Sequence, residues 1–298
     1  MISRRILAGV AAGALAITLT ACAGSAGPTA DTTTPTASGE FFGLLPADVQ
    51  SAGSVTVGTE AYYPPYEFLD TDGSTVIGFD IDLLNAVVAR LGIDYKLENV
   101  AFDTLLPSLD AGRYDVVVAA VSDTAERQTN YDFVDYFLAG QAIITLAGET
   151  DGLSTLDDLC GLTVAVLRDS AQESMLNDLN SGACASSPVD VLSQPSDTDA
   201  LLQVQSGRAQ ASLAQEPVGR YNAKQVGGGS VFEVANSETI EPSLLGYVFK
   251  KGSADLQTAF QTALQSLIDD GSYAAILDKW DLGSGAVETA TINGATAQ

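Results

Sequence analysis

The stretch DIDLLNAVVARLG at residues 80–92 decides the fold class, because its apolar residues recur at helical spacing and a glycine stands where such a helix would stop. On its N-terminal side, SVTVGT at 54–59 is a strand signal. On its C-terminal side, DTLLPSLDAG at 103–112 reads as a short helix, and DVVVAAVS at 115–122 is a continuous apolar run suited to a buried parallel strand. The pattern then repeats. LTVAVL at 162–167 precedes a helix from about Gln172 to Leu179, and helical periodicity from Asp199 to Ser206 leads into AQASLA at 209–214. Strands alternating with helices predict an α/β architecture with mainly parallel sheets. In open sheets of that class ligands sit beyond the carboxyl ends of the strands, so a site is expected at the loops after Thr59, Val121, Leu167 and Ala214.

Both ends of the chain have a different character. Arg4 and Arg5 precede an apolar run from Ile6 to Leu19 and then Leu19-Thr20-Ala21-Cys22, the order of regions in a signal peptide, assigned to residues 1–21. The run is shorter than the roughly 20 apolar residues of a spanning helix. Its ending resembles the bacterial lipobox, which implies a lipid on Cys22 and anchorage to the outer face of the cell membrane. Residues 23–40, rich in Thr, Ala, Ser, Gly and Pro, read as a flexible tether, taken with Cys22 to extend over 22–53. The similar composition after Gly283 predicts a flexible tail over 283–298.

The formal charge of −25 becomes −27 once residues 1–21 are removed, and there is no histidine. Such acidity repels nucleic acid, and the absence of imidazole excludes a histidine base or a histidine-ligated metal. The acids are scattered from Glu40 to Glu288 and read as a solvated surface; no metal or cofactor is expected. With Cys22 lipidated, Cys160 and Cys184 are expected to pair in an oxidising compartment. A redox pair is disfavoured by their wide spacing and by the lack of a basic cluster to lower a thiol pKa.

Four segments, in order, resemble one family. GFDIDLLNAVVARL at 78–91 is similar to the signature of the family 3 bacterial extracellular solute-binding proteins. AYYPPYEF at 61–68 resembles their opening loop, FDTLLPSLDAGRYDVVVAAVSDTAERQ at 102–128 their central block, and DGSYAAILDKWD at 270–281 their closing helix. The resemblance covers about 55–282 and implies a two-lobed, periplasmic-binding-protein-like fold of type II with two hinge strands. Lobe 1 would be 54–138 plus 244–282 and lobe 2 would be 139–243, with crossings near Leu138 to Gly140 and Pro242 to Leu244. It further implies a monomeric, non-enzymatic substrate-binding lipoprotein that delivers a polar amino acid or amino-acid-like carboxylate to an ABC permease. The alternative on the same fold is an enzyme similar to cyclohexadienyl or arogenate dehydratase, with Glu216 or Glu60 as general acid.

The resemblance also assigns roles. Arg127 matches the arginine that clamps a ligand α-carboxylate, a task suited to the guanidinium fork, with Ser122 beside it and Ala120 offering backbone. Tyr63 matches the aromatic stacked over the ligand and Phe102 the opposite wall, while Tyr62 and Tyr66 pack nearby or line the rim. Glu60 stands where an acid meets an ammonium group. Leu167, Ser170, Ala171 and Gln172 match the loop that completes the carboxylate site at a helix start, although Asp169 replaces a glycine there and leaves the backbone path open. Gln215 departs most, replacing the aspartate that binds the α-ammonium. Either Glu60 or Glu216 takes over that charge, or the ligand amine is substituted or absent, or binding is weak, so the ligand class widens to opine-type and cationic compounds.

Overall fold

The structure is a computed structural model and describes residues 39–297. The expected signal peptide, Cys22 and the tether up to residue 38 lie outside the described residues. Helix α1 (Ala47–Ala52) leads into strand β1 (Ser54–Thr59), whose last three residues are all buried. A small antiparallel sheet follows, made of β2 (Tyr62–Tyr63), β3 (Glu67–Leu69) and β4 (Val76–Ile77). Helix α2 (Phe79–Leu91) buries Phe79, Leu83, Leu84, Val87 and Leu91 on one face, as its apolar spacing requires. It stops at Gly92, which takes the left-handed conformation (φ 69°) and donates its N–H back to Val88 and Ala89. Ahead of it, Gly78 has φ 139° and a Cβ there would overlap the Tyr66 backbone, so only glycine fits.

The chain continues through β5 (Asp94–Asn99), α3 (Phe102–Asp110), β6 (Val116–Val117) and the long β7 (Tyr131–Leu146). Next come β8 (Thr163–Leu167), α4 (Ala171–Ser181), β9 (Asp190–Gln194), α5 (Asp197–Gln205), β10 (Ala211–Gln215) and α6 (Glu216–Gln225). It closes with β11 (Phe232–Val234), the long β12 (Ile240–Lys250), α7 (Ala254–Asp269), α8 (Ser272–Trp280) and β13 (Thr291–Ile292).

The main sheet runs β5-β1-β6-β12-β7-β10-β8-β9. Its two flanks, β5-β1-β6 and β10-β8-β9, are parallel as the alternating sequence predicts, whereas every pairing made by β7 and β12 is antiparallel. Residues 131–139 of β7 pair with β12, and residues 141–144 pair with β10. The two long strands therefore belong to both flanks. This is a two-lobed α/β fold with a mixed sheet and two hinge strands. One apolar cluster, containing Leu105, Leu109 and Phe133, lies under α3; another, containing Val164, Leu176 and Leu213, belongs to the opposite flank.

Three expectations are corrected. The run at 115–122 is buried from Val116 onward, yet only Val116 and Val117 form regular ladder, because Ala120 turns to φ 45° and gives its N–H to the Asp80 carboxylate. The tether does not extend to 53: the Phe41 N–H donates to the Arg90 carbonyl, and Leu45 and Val49 sit in the core. The tail is not free either. β13 pairs with β7, and Ala290 is only 2% exposed. Composition hid both segments, since a few apolar anchors in one and backbone hydrogen bonds in the other suffice to order them.

Cys160 and Cys184 form a disulfide, with Cα atoms 5.1 Å apart and a sequence separation of 24. Closing a loop of that size is worth about 3 kcal/mol in the chain-entropy account. Replacing both cysteines with alanine is expected to lower unfolding stability by about that amount in urea titration; a loss below ~1 kcal/mol would contradict this account.

Candidate ligand-binding site

A tight cavity lies between the two flanks, with room as it stands for about one water molecule, so a larger ligand is admitted only as the flanks move apart. All eleven residues named from sequence line it, together with Glu67 and Ala119. Most come from the carboxyl ends of β1, β8 and β10 and from the loop after β6, where a parallel α/β sheet gathers its connections, while Tyr63 and Glu67 lie in the small sheet and Phe102 begins α3.

One pole is cationic. Arg127 is half-buried beside the Phe102 ring, 5.9 Å from its centroid. Its Nη1 donates to the Ser122 carbonyl at 3.1 Å and its Nη2 to the Asp169 carbonyl at 2.9 Å, which fixes the fork across the opening between the flanks. Burial lowers its pKa to about 10, still charged at neutral pH. Asp169 adopts φ 58°, the left-handed region a glycine would use and one that aspartate tolerates, so the backbone path keeps the turn. Ser170 then caps α4, its Oγ accepting from the Glu173 N–H at 3.1 Å. Leu167 and Ala171 are buried on either side of this turn, and Gln172 donates to Gln141 of β7 at 2.7 Å.

The other pole is acidic. Glu60 is 1% exposed, and no protein group among the described residues makes a hydrogen bond to either carboxylate oxygen. Burial, then the charge of Asp197, raises its pKa to about 8; the Tyr62 backbone pulls the other way without reaching hydrogen-bonding geometry. Asp197, at the first position of α5 on the opposite flank, is also 1% exposed and is raised to about 7 by burial. None of the ion pairs among the described residues includes Glu60 or Asp197. Glu67 and Asp80 are buried too. Burial, then the charges of Asp80 and Glu60, hold the Glu67 carboxyl well above the usual range, and neither of its oxygens accepts from a described group, while Asp80 Oδ2 accepts from the Ala120 N–H and the Tyr136 hydroxyl.

Tyr63 and Gln215 join the poles. The Gln215 N–H donates to the Tyr63 hydroxyl at 3.1 Å, and its Nε2 donates to the Ala120 carbonyl at 3.0 Å. Its Oε1 is buried and accepts from no described group. Tyr63 stacks on Tyr66, which is entirely buried, while Tyr62 is 45% exposed at the rim. Further bonds cross the opening: Arg168 pairs with Asp103 at 3.2 Å, and the Thr198 hydroxyl donates to the Tyr62 carbonyl at 3.3 Å. The conformation is therefore closed. Glu216 faces away from this cavity into a groove behind the hinge, paired with Arg220 at 2.5 Å.

Sequence reasoning missed Asp197 and Glu67. Asp197 looks like an ordinary acid in a first helical turn, and Glu67 like an edge residue of a short strand. The only available signal was the position of Glu67 directly after Tyr66 in the aromatic loop.

A closed cavity between two lobes joined by two strands is the architecture of a protein that captures small solutes. The chain matches the bacterial extracellular solute-binding proteins, family 3, over residues 55–284, and it belongs to that family. The arginine-binding protein ArgT of Corynebacterium glutamicum is 32% identical over 259 residues, which is 85% of this chain and 83% of that one. The L-cystine-binding protein TcyA of Bacillus subtilis is 28% identical over 80% of this chain and 85% of its own. An ancestral arginine-binding protein bound to arginine superposes with a TM-score of 0.70 at 32% identity, covering 76% of this chain and 98% of its own.

The buried acids make stability depend on pH. In the closed form burial raises the Glu60 carboxyl to about 8 and Asp197 to about 7, against ordinary values of 4.5 and 3.8. The folded state thus holds protons that the unfolded chain releases, and their stabilising effect is complete below about pH 4 and lost as pH rises to about 8. The ligand-free protein is expected to unfold at lower urea near pH 8.5 than near pH 5.5, and Glu60→Gln to reduce the difference. Equal midpoints at both pH values would contradict these assignments.

Proposed function

We propose that this protein is the exported, lipid-anchored capture component of an ABC importer and that its ligand is a cationic amino acid of the arginine type. The observation that carries the reading is Glu60, buried in the cavity with neither oxygen accepting from a described group, while Asp197 of the opposite flank is near enough to raise its pKa and no described ion pair serves either acid. Closure brings these acids together, so it is costly without a positive group between them and favourable with one. Arg127 at the opposite pole takes the ligand carboxylate, with Ser122 and the Ser170–Gln172 turn beside it. A compact molecule with an anionic end and a cationic end fills both requirements. The arginine-binding relatives support this choice.

On this reading lobe 1 comprises 54–138 plus 244–282 and lobe 2 comprises 139–243, turning about Leu138 to Gly140 and Pro242 to Leu244. Ligand shifts the balance toward the closed form because its contacts with both lobes exist only there. Cys22 carries the lipid, and the chain before residue 39 spaces the domain from the membrane for encounter with the permease.

A thermal-shift panel of amino acids, opines, betaines and polyamines tests the ligand class. Arginine and its homologues should raise the melting temperature, and Arg127→Ala should abolish that rise while leaving the fold intact. Stabilisation by dicarboxylates or neutral sugars alone would overturn the assignment. Gln215→Asp restores a full charge for an α-ammonium, so it should tighten arginine binding by about tenfold, the value of one charge-assisted hydrogen bond. No gain would mean that the ligand carries no free α-ammonium. The high pKa of Glu60 also suits a general acid. Incubation with prephenate and arogenate decides that second reading: turnover would establish an enzyme, and unchanged compounds would exclude this activity.

A further inference from the structure

We propose that the C-terminal strap, residues 285–295, is a positioning element for the loop at 122–128 that carries Ser122 and Arg127. The family match ends at residue 284, so the strap lies beyond the segment that defines the fold. It begins against the hinge, where a Cβ on Gly285 would overlap the Phe137 ring and the Leu138 carbonyl. It then runs beside β7, with Thr291 opposite Asp135 and Ile292 opposite Val134. The Asn293 N–H donates to the Phe133 carbonyl at 3.1 Å, and its Oδ1 accepts from the Phe133 N–H at 2.8 Å.

Two buried carboxylates connect this strap to the loop. Asp135 Oδ2 accepts from the Thr291 hydroxyl at 2.9 Å and from the Gly294 N–H at 2.8 Å. Asp123 Oδ2 accepts from the Ala295 N–H at 3.0 Å. Asp123 also receives the Gln128 amide, at 2.7 and 2.8 Å to its two oxygens, and its own N–H donates to the Leu244 carbonyl of β12 at 2.8 Å. Asp123 thus closes both ends of the loop around Arg127 and fastens it to a hinge strand. Burial and the neighbouring Asp123 raise the Asp135 pKa to about 7. The strap's donors are what let two adjacent acids stay out of water; without them the pair must separate or hydrate, and the loop moves with Asp123. A guanidinium fork held in place before ligand arrives loses less freedom on binding.

The consequence for affinity rests on the proposed contact between Arg127 and the ligand carboxylate; the ordering of the loop does not. The test uses the full chain with Thr291→Val and Ala295→Pro, which remove one donor to each carboxylate. Hydrogen–deuterium exchange of the ligand-free protein should become at least tenfold faster in 122–128, with 163–181 unchanged. The Kd for L-arginine should rise about tenfold. Adding Asp135→Asn, which removes one charge of the pair, should restore much of the loop's protection and the affinity, whereas a general loss of stability would not be reversed. If the double variant does not fold, Ala295→Pro alone removes a single N–H and serves in its place. Unchanged exchange in a folded variant overturns the proposal, as does faster exchange with the Kd within twofold of wild type. Failure of the wild-type protein to bind L-arginine counts against the ligand assignment, and the exchange result then decides the strap by itself.

Discussion

A buried carboxylate needs either a proton or a cation, and the way this chain meets that need differs from one acid to the next. Burial and the neighbouring Asp80 charge keep Glu67 protonated, and Asp80 uses its Oδ2 to hold Ala120 in a left-handed turn and to anchor Tyr136. Asp123 and Asp135 are supplied with donors from the strap. Glu60 at both oxygens and Asp197 at Oδ1 accept from no described group, and neither acid has an ion-pair partner among the described residues, so in the closed form a proton stands in for the missing cation. That deficit gives the cavity its polarity, with Arg127 at one end and unsatisfied acid at the other.

The same deficit links chemistry to motion. Glu60 follows β1 and Asp197 begins α5, so each belongs to a different lobe. The direct bonds across the opening are few, among them Arg127 to the Asp169 carbonyl, Gln215 to Tyr63 and Ala120, and the Arg168–Asp103 pair. Exposed ion pairs of the last kind contribute little. A closed form held by so few contacts is sensitive to the charge trapped inside it, which is what a capture protein requires if loaded and empty molecules are to differ in shape. Gln215 takes part in this closed form through its Nε2, which donates to the Ala120 carbonyl, and its main-chain N–H, which donates to the Tyr63 hydroxyl.

Much of this was legible in sequence because it is local. The α2 helix, the parallel flanks and the Arg127 loop each declare themselves within a dozen residues, and the eleven residues carried over from the family motifs all reach one cavity. What was not legible depends on distance or on backbone. Asp197 lies 137 positions from Glu60, and nothing in its own helix turn hints at the encounter. The left-handed turn at Ala120 goes with a hydrogen bond from its N–H to Asp80, 40 positions away, and is not announced by residue type. The strap was lost for the same reason: its Thr, Ala, Gly and Asn residues are loop-like in composition, and they act largely through main-chain donors aimed at acids that sequence treats as surface.

The central claim is that a cationic ligand supplies the charge that Glu60 and Asp197 lack, and counting protons tests it most directly. Titration calorimetry with L-arginine, run at about pH 7 in two buffers of different ionisation enthalpy, should show net proton release on binding, because a cation beside these acids lowers pKa values that stand near 8 and 7. Release should shrink toward zero by about pH 9, where both acids are already charged. Binding with no release or with proton uptake at about pH 7 would contradict the account, and so would no binding at all.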